Sequence, residues 1–179
     1  MLRVVLDTSC IVSYLLTAGA IMQGVVALWQ TGEIILLSSP STRSELAQVL
    51  NRPAIRERSK VDLGVFVAGY ERHTEHTPNL DESPGVCRDP KDEKFIACAI
   101  SGSADYLVSS DRDLLALRRH EGIAILSPGQ LLIAVQLHQL DSTAIGERFS
   151  LPVLKEILAT VPLQSATEEK LNSLIPSME

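Results

Sequence analysis

The sequence predicts an α/β fold in which helices cover both faces of a mostly parallel sheet of four or five strands. Short apolar runs alternate with segments of helical periodicity over residues 1–137, and this alternation is typical of parallel strands joined by helical crossovers. The length of 179 residues suits one domain with a sizeable core. A hydrophobic content of 45% with 21% charged residues is ordinary for a soluble globular protein.

The first predicted strand covers Leu2 to Leu6, a short apolar run rich in β-branched residues. Asp7 follows it directly, and it could be a turn or cap residue or part of a site at the end of the strand. Ser9 is placed to cap a helix that continues to Leu16. The sequence therefore puts a carboxylate at the carboxyl end of the first strand.

The stretch from Thr8 to Gly32 carries no charge and is long enough to span a membrane. Polar residues recur through it, and Gly19 separates it into two helices, of which the second runs from about Ala18 to Gln30. We therefore expect two buried helices in a cytoplasmic protein. The odd number of cysteines, none in CxxC spacing, favours reduced thiols over a disulfide or a zinc site.

A second strand is predicted at Ile34 to Leu37, followed by a serine-rich loop that favours the start of a helix. In that helix Glu45 lies one turn in, on nearly the same side as the apolar Leu46 and Val49. Glu45 is a candidate site residue for this reason. A glutamate near a helix start also gains from the helix macrodipole, so a purely stabilising role is the alternative.

A basic cluster follows the end of this helix. Its members are Arg52, Arg56, Arg58 and Lys60. The usual interpretation of such a cluster is a solvated face, and the alternative is phosphate contact beside an acidic site. The formal net charge of −6 counts mildly against a nucleic-acid partner, unless metal ions occupy many of the acids.

The stretch of residues 88–113 carries a dense set of acids around one helix and one strand. Asp89-Pro90 is expected to start the helix, with Asp89 as its N-cap and Asp92 in its first turn. The strand is predicted at Tyr106 to Val108. Two further aspartates follow the carboxyl end of this strand, Asp111 and Asp113.

The remaining elements complete the α/β pattern. A helix is predicted from Val61 to Glu75, with a weak fifth strand near residues 76–78. A later helix is expected to end at Arg118-Arg119-His120, because cations suit a helix carboxyl end. The last strand is predicted at Ile123 to Leu126, and the helix after it runs from Pro128 to Leu137.

The pattern changes from Leu140 onward. Two short amphipathic helices, near residues 151–161 and 167–175, are separated by prolines. We therefore divide the chain into an α/β domain at residues 1–137 and a helical C-terminal extension at residues 138–179.

Four carboxylates are predicted to lie at the same edge of the sheet. Strand carboxyl ends and the starts of the helices that follow them lie along one edge of a parallel sheet, which is where ligands bind in α/β proteins. The four are Asp7, Glu45, Asp92 and Asp111. Like charges in one pocket raise one another's pKa or require cations. A pocket of carboxylates without His or Cys suits Mg²⁺ or Mn²⁺, as one or two ions acting on a phosphodiester.

Other chemistries lack their required motifs. There is no GxxxxGK[ST] phosphate loop, no GxGxxG fingerprint and no GxSxG elbow. A phosphatase of the haloacid-dehalogenase type needs a second aspartate two residues after its nucleophile, where this chain has Ser9. A phosphodiester hydrolase is the class that fits the residues.

Five segments, in order, resemble the PIN-domain family, specifically its prokaryotic toxin components of toxin–antitoxin systems. They are VVLDTS, STRSELAQVL, DPKDEKFIACAI, ADYLVSSDRDLL and GIAILSPGQLL, and they cover residues 1 to about 137. The resemblance implies a three-layer α/β/α fold and a divalent-metal-dependent ribonuclease that cuts single-stranded RNA. It also implies a dimer that a cognate antitoxin silences. Residues after about 137 extend beyond the usual end of the family pattern.

The family pattern maps its acidic quartet onto Asp7, Glu45, Asp92 and Asp111, with Asp89 and Asp113 beside them. The spacing of Asp111 and Asp113 leaves open which of the two faces the metal. Secondary candidates follow from proximity in sequence. Ser9 and Ser110 could orient a metal-bound water or an acid, and Arg52, Arg56 or Arg112 could contact phosphate. A non-catalytic PIN-like binding module and a DNA-directed nuclease are the alternatives.

Overall fold

The computed structural model describes residues 1–80 and 83–178. Its central sheet has six strands in the order β3-β2-β1-β4-β6-β5. The strands are β1 (Leu2–Leu6), β2 (Ile34–Ser38), β3 (Glu75–His76), β4 (Tyr106–Val108), β5 (Arg119–His120) and β6 (Ile123–Leu126). Every neighbouring pair is parallel except β5 with β6, which is antiparallel. The predicted mostly parallel α/β fold is confirmed.

The helices in the described residues alternate with these strands up to α8 and then follow one another. They are α1 (Thr8–Thr17), α2 (Ala20–Gln30), α3 (Pro40–Leu50), α4 (Pro53–Arg58), α5 (Leu63–His73), α6 (Glu93–Ser101), α7 (Arg112–Leu117), α8 (Pro128–Gln139), α9 (Ser142–Arg148), α10 (Leu151–Thr160) and α11 (Ser165–Met178). The predicted division of the stretch after Asp7 into two helices is confirmed, with a left-handed Ala18 between them.

Two apolar clusters, one on each face of the sheet, make the fold three-layered. Val4 and Leu6 of β1 belong to one cluster and Val5 belongs to the other, because successive side chains of a strand point to opposite faces. The second cluster is covered by α6 and α7, through Phe95 and Leu114. The first is covered by the other packed helices, including the C-terminal ones. These three layers match the α/β/α arrangement that the resemblance implies.

The sheet has one more strand than predicted. The weak fifth strand near residues 76–78 is present as β3, beginning at Glu75. The extra strand is β5, which corrects the expectation that Arg118-Arg119-His120 ends a helix. Glu121 and Gly122 both have positive φ, 46° and 83°, which is the backbone of a tight type I′ hairpin turn joining β5 to β6. The turn was not recognised in the sequence because Glu seldom takes positive φ.

Helix α6 begins at Glu93, three residues after the start predicted at Asp89-Pro90. The Asp89 carboxylate accepts a hydrogen bond from Lys91 N at 2.9 Å, and Asp92 N donates to the Asp89 carbonyl at 3.0 Å. These bonds close a turn before the helix, so Asp89 caps the turn and Asp92 becomes the helix N-cap residue. The expectation that Asp92 lies inside the first turn is therefore wrong by one position.

The C-terminal residues form three helices, α9 to α11, where two were predicted. Ile145, Leu154 and Leu171 are fully buried in the same apolar cluster as β1. The predicted boundary at residue 137 falls inside α8. Among the described residues no single helix is long and apolar enough to cross a membrane; α1 and α2 meet the criterion only as a pair, bent by 112°.

Candidate active site

The predicted acids lie around the carboxyl ends of β1, β2 and β4, which are adjacent in the sheet. Asp7 follows β1, Asp111 follows β4 by three residues, and Glu45 lies in the second turn of α3, after β2. Asp92 is the N-cap residue of α6, which packs against α3 and against β1. The carboxyl edge of the sheet therefore carries the four carboxylates that the sequence places there.

Asp7 is both a helix cap and a buried carboxylate. It is 5% exposed, and it begins α1 by accepting a hydrogen bond from Ser9 N at 3.1 Å. Its Oδ2 accepts two further bonds, each 2.6 Å, from the hydroxyls of Ser9 and Ser109. Asp7 N also donates to Val108 O, which attaches it to β4. These bonds from Ser9 and Ser109 hold the Asp7 carboxylate in one orientation.

Ser109 is a functional candidate that the sequence interpretation missed. Its hydroxyl donates to Asp7 and accepts from Asp111 N at 2.9 Å, so one fully buried side chain joins the acids after β1 and β4. Ser110, which was predicted for this task, is exposed and lies 3.4 Å from Cys10 Sγ instead. Its position in the sequence could have identified it, because Ser109 follows β4 directly just as Asp7 follows β1.

Asp92 shows that the acids act on one another. Burial, together with the charges of four other acids, raises the pKa of the Asp92 carboxyl to about 6. In decreasing order of effect these are Asp7, Asp111, Asp89 and Glu45. Asp92 also has no hydrogen-bonded role as a cap. The structure therefore brings the predicted quartet within electrostatic range, with Asp89 beside it.

Glu45 forms an ion pair with Lys94, a residue to which the sequence interpretation gave no role. The two side chains are about equally shielded, at 26% exposed for Glu45 and 24% for Lys94. This pair joins α3 to α6 and puts one ammonium group beside the carboxylates. Lys94 follows Asp92 by two residues, but an isolated lysine at a helix start gives no sequence signal of its own.

Asp111 and Asp113 have different partners in the structure. Asp111 is the N-cap residue of α7, and its Oδ1 accepts hydrogen bonds from Asp113 N at 2.7 Å and Leu114 N at 3.2 Å. Its charge is among those that raise the pKa of Asp92. Asp113 instead forms an exposed ion pair with Arg88 at 3.3 Å. Of the two aspartates, Asp111 is the one that faces the other acids.

Glu93 is a second residue that the sequence interpretation passed over. It is 7% exposed, and its carboxylate accepts hydrogen bonds from Gly85 N at 2.9 Å and from Cys87 N. These bonds fix the segment that leads into the Asp89 turn. Burial, followed by the Glu93 charge, raises the pKa of the Cys87 thiol to about 12. Glu93 thus positions the loop before Asp92, and Cys87 stays a neutral thiol.

The predicted phosphate contacts divide into two groups. Arg112 is exposed at the first position of α7, next to Asp111. Arg52 and Arg56 are exposed at α4, which follows the far end of α3. Arg52 follows Glu45 by seven positions, past the end of α3, which corresponds to about 10 Å along the axis of that helix. Because the segment after α4 is bonded to Leu15 O, near the far end of α1, the structure does not bring Arg52 and Arg56 to the acids.

The donor chemistry of the edge fits a hard divalent cation, since carboxylate oxygens are the preferred ligands of Mg²⁺ and Mn²⁺. The repulsion that raises the pKa of Asp92 is what such a cation would relieve. The side-chain positions do not yet form a coordination shell: across residues 1–80 and 83–178, no three His, Cys, Asp or Glu side chains are grouped to hold an ion. Glu45, held by Lys94, is one acid that would have to turn.

A three-layer α/β fold with mutually repelling carboxylates at the carboxyl edge of its sheet is typical of hydrolases that act on phosphodiesters. Residues 3–113 match the model of the PIN domain family, which is more than half of the chain. The protein belongs to the PIN domain family. PIN domains are generally nucleases, and the family generally uses divalent metal ions.

One relative is an uncharacterized protein of Methanocaldococcus jannaschii. It is 28% identical over 120 residues, which cover 65% of this chain and 76% of the relative. No solved structure matches the chain. The relative therefore adds no activity to the family assignment.

Proposed function

We propose that this protein is a metal-dependent endoribonuclease that hydrolyses phosphodiester bonds of single-stranded RNA. The observation that carries the proposal is the environment of Asp92, whose pKa is raised by burial and by four neighbouring acids. A fold maintains such repulsion at a cost in stability, and a site that uses the charges is the usual reason. Membership of a family of nucleases supports the same conclusion.

Asp7, Glu45, Asp92 and Asp111 would hold Mg²⁺ or Mn²⁺, as one or two ions. When bound, the metal lowers the pKa of a water molecule and neutralises charge on the phosphate. The protein's own contribution is orientation. Asp7 is fixed by the hydroxyls of Ser9 and Ser109. Asp111 is fixed by its bonds to the start of α7, and the neighbouring Arg112 would contact phosphate.

The supporting residues differ in how close they lie to this chemistry. Asp89 acts on Asp92 through its charge, and Asp113 holds Arg88. Ser110 lies on the exposed side of the strand end. Arg52 and Arg56 are the weaker phosphate candidates because of their distance along α3, so Arg112 is the cation to test first.

The test compares wild type with Asp92→Asn on labelled single-stranded RNA and DNA, in Mn²⁺ and in EDTA. Asn removes the charge of Asp92 without removing a hydrogen-bonded cap, so the fold is expected to persist. We expect RNA cleavage in Mn²⁺ to fall by about a hundredfold or more in the variant. Asp113→Asn is the matched control on the same edge and is expected to keep most of the activity.

Each alternative predicts a different result. Cleavage that persists in EDTA or in Asp92→Asn would contradict the metal mechanism. Equal cleavage of RNA and DNA, or cleavage of DNA alone, would favour the DNA-directed nuclease, because selection of RNA requires contacts to the 2′-hydroxyl. Binding of Mn²⁺ without cleavage of any substrate would favour the non-catalytic binding module.

The resemblance to toxin components supports a finer proposal for the cellular role: a homodimeric cytoplasmic toxin that a cognate antitoxin silences. Induced wild type is then expected to arrest growth of a bacterial host, whereas induced Asp92→Asn at equal protein level is not. Light scattering measures the dimer. Unimpaired growth at high wild-type expression, with active nuclease recovered from the cells, would contradict the toxin assignment while leaving the nuclease assignment intact.

A further inference from the structure

A polar groove runs between α3 and α6, beside the acids. Two adjoining cavities, of about 390 Å³ and about 180 Å³, share the side chains of Ser41, Asn79 and Lys94, so they form one continuous depression. The larger cavity also reaches Ser44 and Gln48. Its volume lies within the range of about 300–1,000 Å³ that is usual for small-molecule sites. We call this feature the α3–α6 groove.

One face of α3 supplies most of the groove. Ser41, Ser44, Glu45 and Gln48 follow the i, i+3, i+4, i+7 spacing that puts side chains on a single helix face. The opposite side of α3 is buried in the core through Leu46, Val49 and Leu50. The face toward the groove is therefore polar and lies outside the apolar core, and it borders the acid edge.

The groove offers neutral hydrogen-bonding groups of both kinds. The Asn79 Oδ1 accepts from Ser41 N at 3.2 Å and from Ser41 Oγ at 2.9 Å, which orients the amide so that its nitrogen is presented away from Ser41. The Gln48 Nε2 donates to Ser44 Oγ at 3.4 Å, so the amide oxygen Oε1 takes no part in this bond. An amide side chain can donate and accept at the same time, and amides read the edges of nucleobases in this way.

Two further features narrow the ligand class. No aromatic side chain is among those lining the two cavities in the described residues, so base stacking, the usual sequence-tolerant mode for single strands, is not available here. Among the lining residues that the structure describes, Lys94 is the one cation, and it lies where the groove meets Glu45. An ammonium at one end and amides along the wall suit a ligand with one phosphate and a polar, flat edge.

We propose that the α3–α6 groove binds one unpaired nucleotide adjoining the bond that is cut, and reads its base through Gln48 and Asn79. Lys94 meets the phosphate that joins this nucleotide to the acid edge. This inference rests on the proposed nuclease function and adds to it a residue-level basis for base preference. The groove is thus a specificity subsite, whereas the carboxylates carry the chemistry.

The experiment measures binding without cleavage. The Asp92→Asn protein in EDTA is titrated against fluorescent single-stranded hexanucleotides of each base, as RNA and as DNA, and affinity is read by anisotropy. Gln48→Ala and Asn79→Ala are added separately to this background. Loss of one or two hydrogen bonds is expected to weaken binding of the preferred base about threefold to tenfold and to reduce the difference between bases.

Gln136→Ala is the matched control, because Gln136 is also an exposed helical glutamine but lies on α8, away from the groove. It is expected to leave every affinity unchanged. Gln48→Ala is expected to fold normally, since alanine is the best helix former. Equal loss on RNA and DNA means that the base is read, and a loss confined to RNA means that the ribose hydroxyl is also bound; either outcome supports the groove.

Unchanged affinities in both groove variants, or no binding of any oligonucleotide, would overturn the inference. Wild-type cleavage of the same oligonucleotides in Mn²⁺ separates the two proposals. If wild type cleaves but the groove variants bind normally, the groove assignment alone fails. If binding depends on Gln48 and Asn79 but nothing is cleaved, the nuclease proposal fails and the groove assignment stands.

Discussion

The carboxyl edge of the sheet and the opposite region around the amino ends of β1 and β4 treat their charges in opposite ways. At the carboxyl edge Asp92 has no hydrogen-bonded partner as a cap, and burial together with the charges of other acids raises its pKa to about 6. At the amino end Asp105 accepts hydrogen bonds from Arg3 N at 2.8 Å and from Gln164. The Glu75 carboxylate there pairs with the Arg3 guanidinium, which lowers the pKa of Glu75.

This difference separates charges that stabilise the fold from charges that the fold tolerates. Arg3, Asp105 and Gln164 connect the two central strands to the C-terminal helices. Asp7, Glu45 and Asp111 also make stabilising bonds, but the repulsion between Asp92 and these acids opposes folding. A protein that gains stability at one end of its sheet can carry an unfavourable group of charges at the other, which is the usual balance between stability and activity.

The largest stability effect is expected at the amino end. Asp105→Ala removes the acceptor of Arg3 N and the partner of Gln164, leaving partly buried donors without their bonds. We expect it to lower the free energy of unfolding by about 1–3 kcal/mol. Urea denaturation followed by circular dichroism measures the change. A variant as stable as wild type would show that the C-terminal helices dock independently of this residue.

The second effect is an increase in the free energy of unfolding, and it is expected at Asp92. Because the folded-state pKa of Asp92, about 6, lies above its ordinary value of 3.8, the charged carboxylate destabilises the metal-free fold above pH 6. This penalty is relieved as the pH falls from about 6 towards 4. We expect Asp92→Asn to be more stable than wild type at pH 7 in EDTA, by about 1 kcal/mol after allowance for solvent screening.

The difference between Asp92→Asn and wild type should shrink as the pH falls towards 4, because the wild-type carboxyl is then protonated in the folded state and becomes increasingly protonated in the unfolded state. Thermal unfolding of both proteins across pH 4–8 tests this. A variant that is less stable than wild type at pH 7 would mean that Asp92 has a stabilising partner. Addition of Mn²⁺ should raise the melting temperature of wild type more than that of the variant.

The smallest effect is expected for the ion pair at the amino end. Glu75→Gln removes the charge that pairs with Arg3 while keeping a side chain of the same shape, and it should cost about 0.2–1 kcal/mol at pH 7. Since the Glu75 pKa is lowered in the fold, this contribution is present above the ordinary value of 4.5 and disappears as the pH falls through the folded-state value. Its pH dependence is thus the reverse of that at Asp92, and double-variant measurements of Glu75→Gln with Asp92→Asn should be additive.

Much of the fold was predictable because local patterns and the tertiary arrangement agree. Apolar runs such as Leu2–Leu6 and Ile123–Leu126 are strands as predicted, and the alternation with helices gave the parallel sheet. The wrong predictions of helix bounds occurred where a local turn formed in place of the helix that the sequence pattern usually indicates. The Asp89 carboxylate closes a turn with Lys91 N and delays α6, and the positive φ of Glu121 makes a hairpin out of residues that suit a helix end.

The sequence by itself determined which carboxylates lie at the carboxyl edge, because a carboxylate that follows a parallel strand, or begins the next helix, can lie nowhere else. Only the tertiary structure decided how they are held. Ser109 joins Asp7 to Asp111, and Lys94 pairs with Glu45, through contacts between residues 49 to 102 positions apart in the chain. The same packing of α3 against α6 created the polar groove. The periodicity of a sequence does not indicate which partner a serine hydroxyl or a lysine ammonium group binds. Those partners are set by the packing of segments that are distant in the chain.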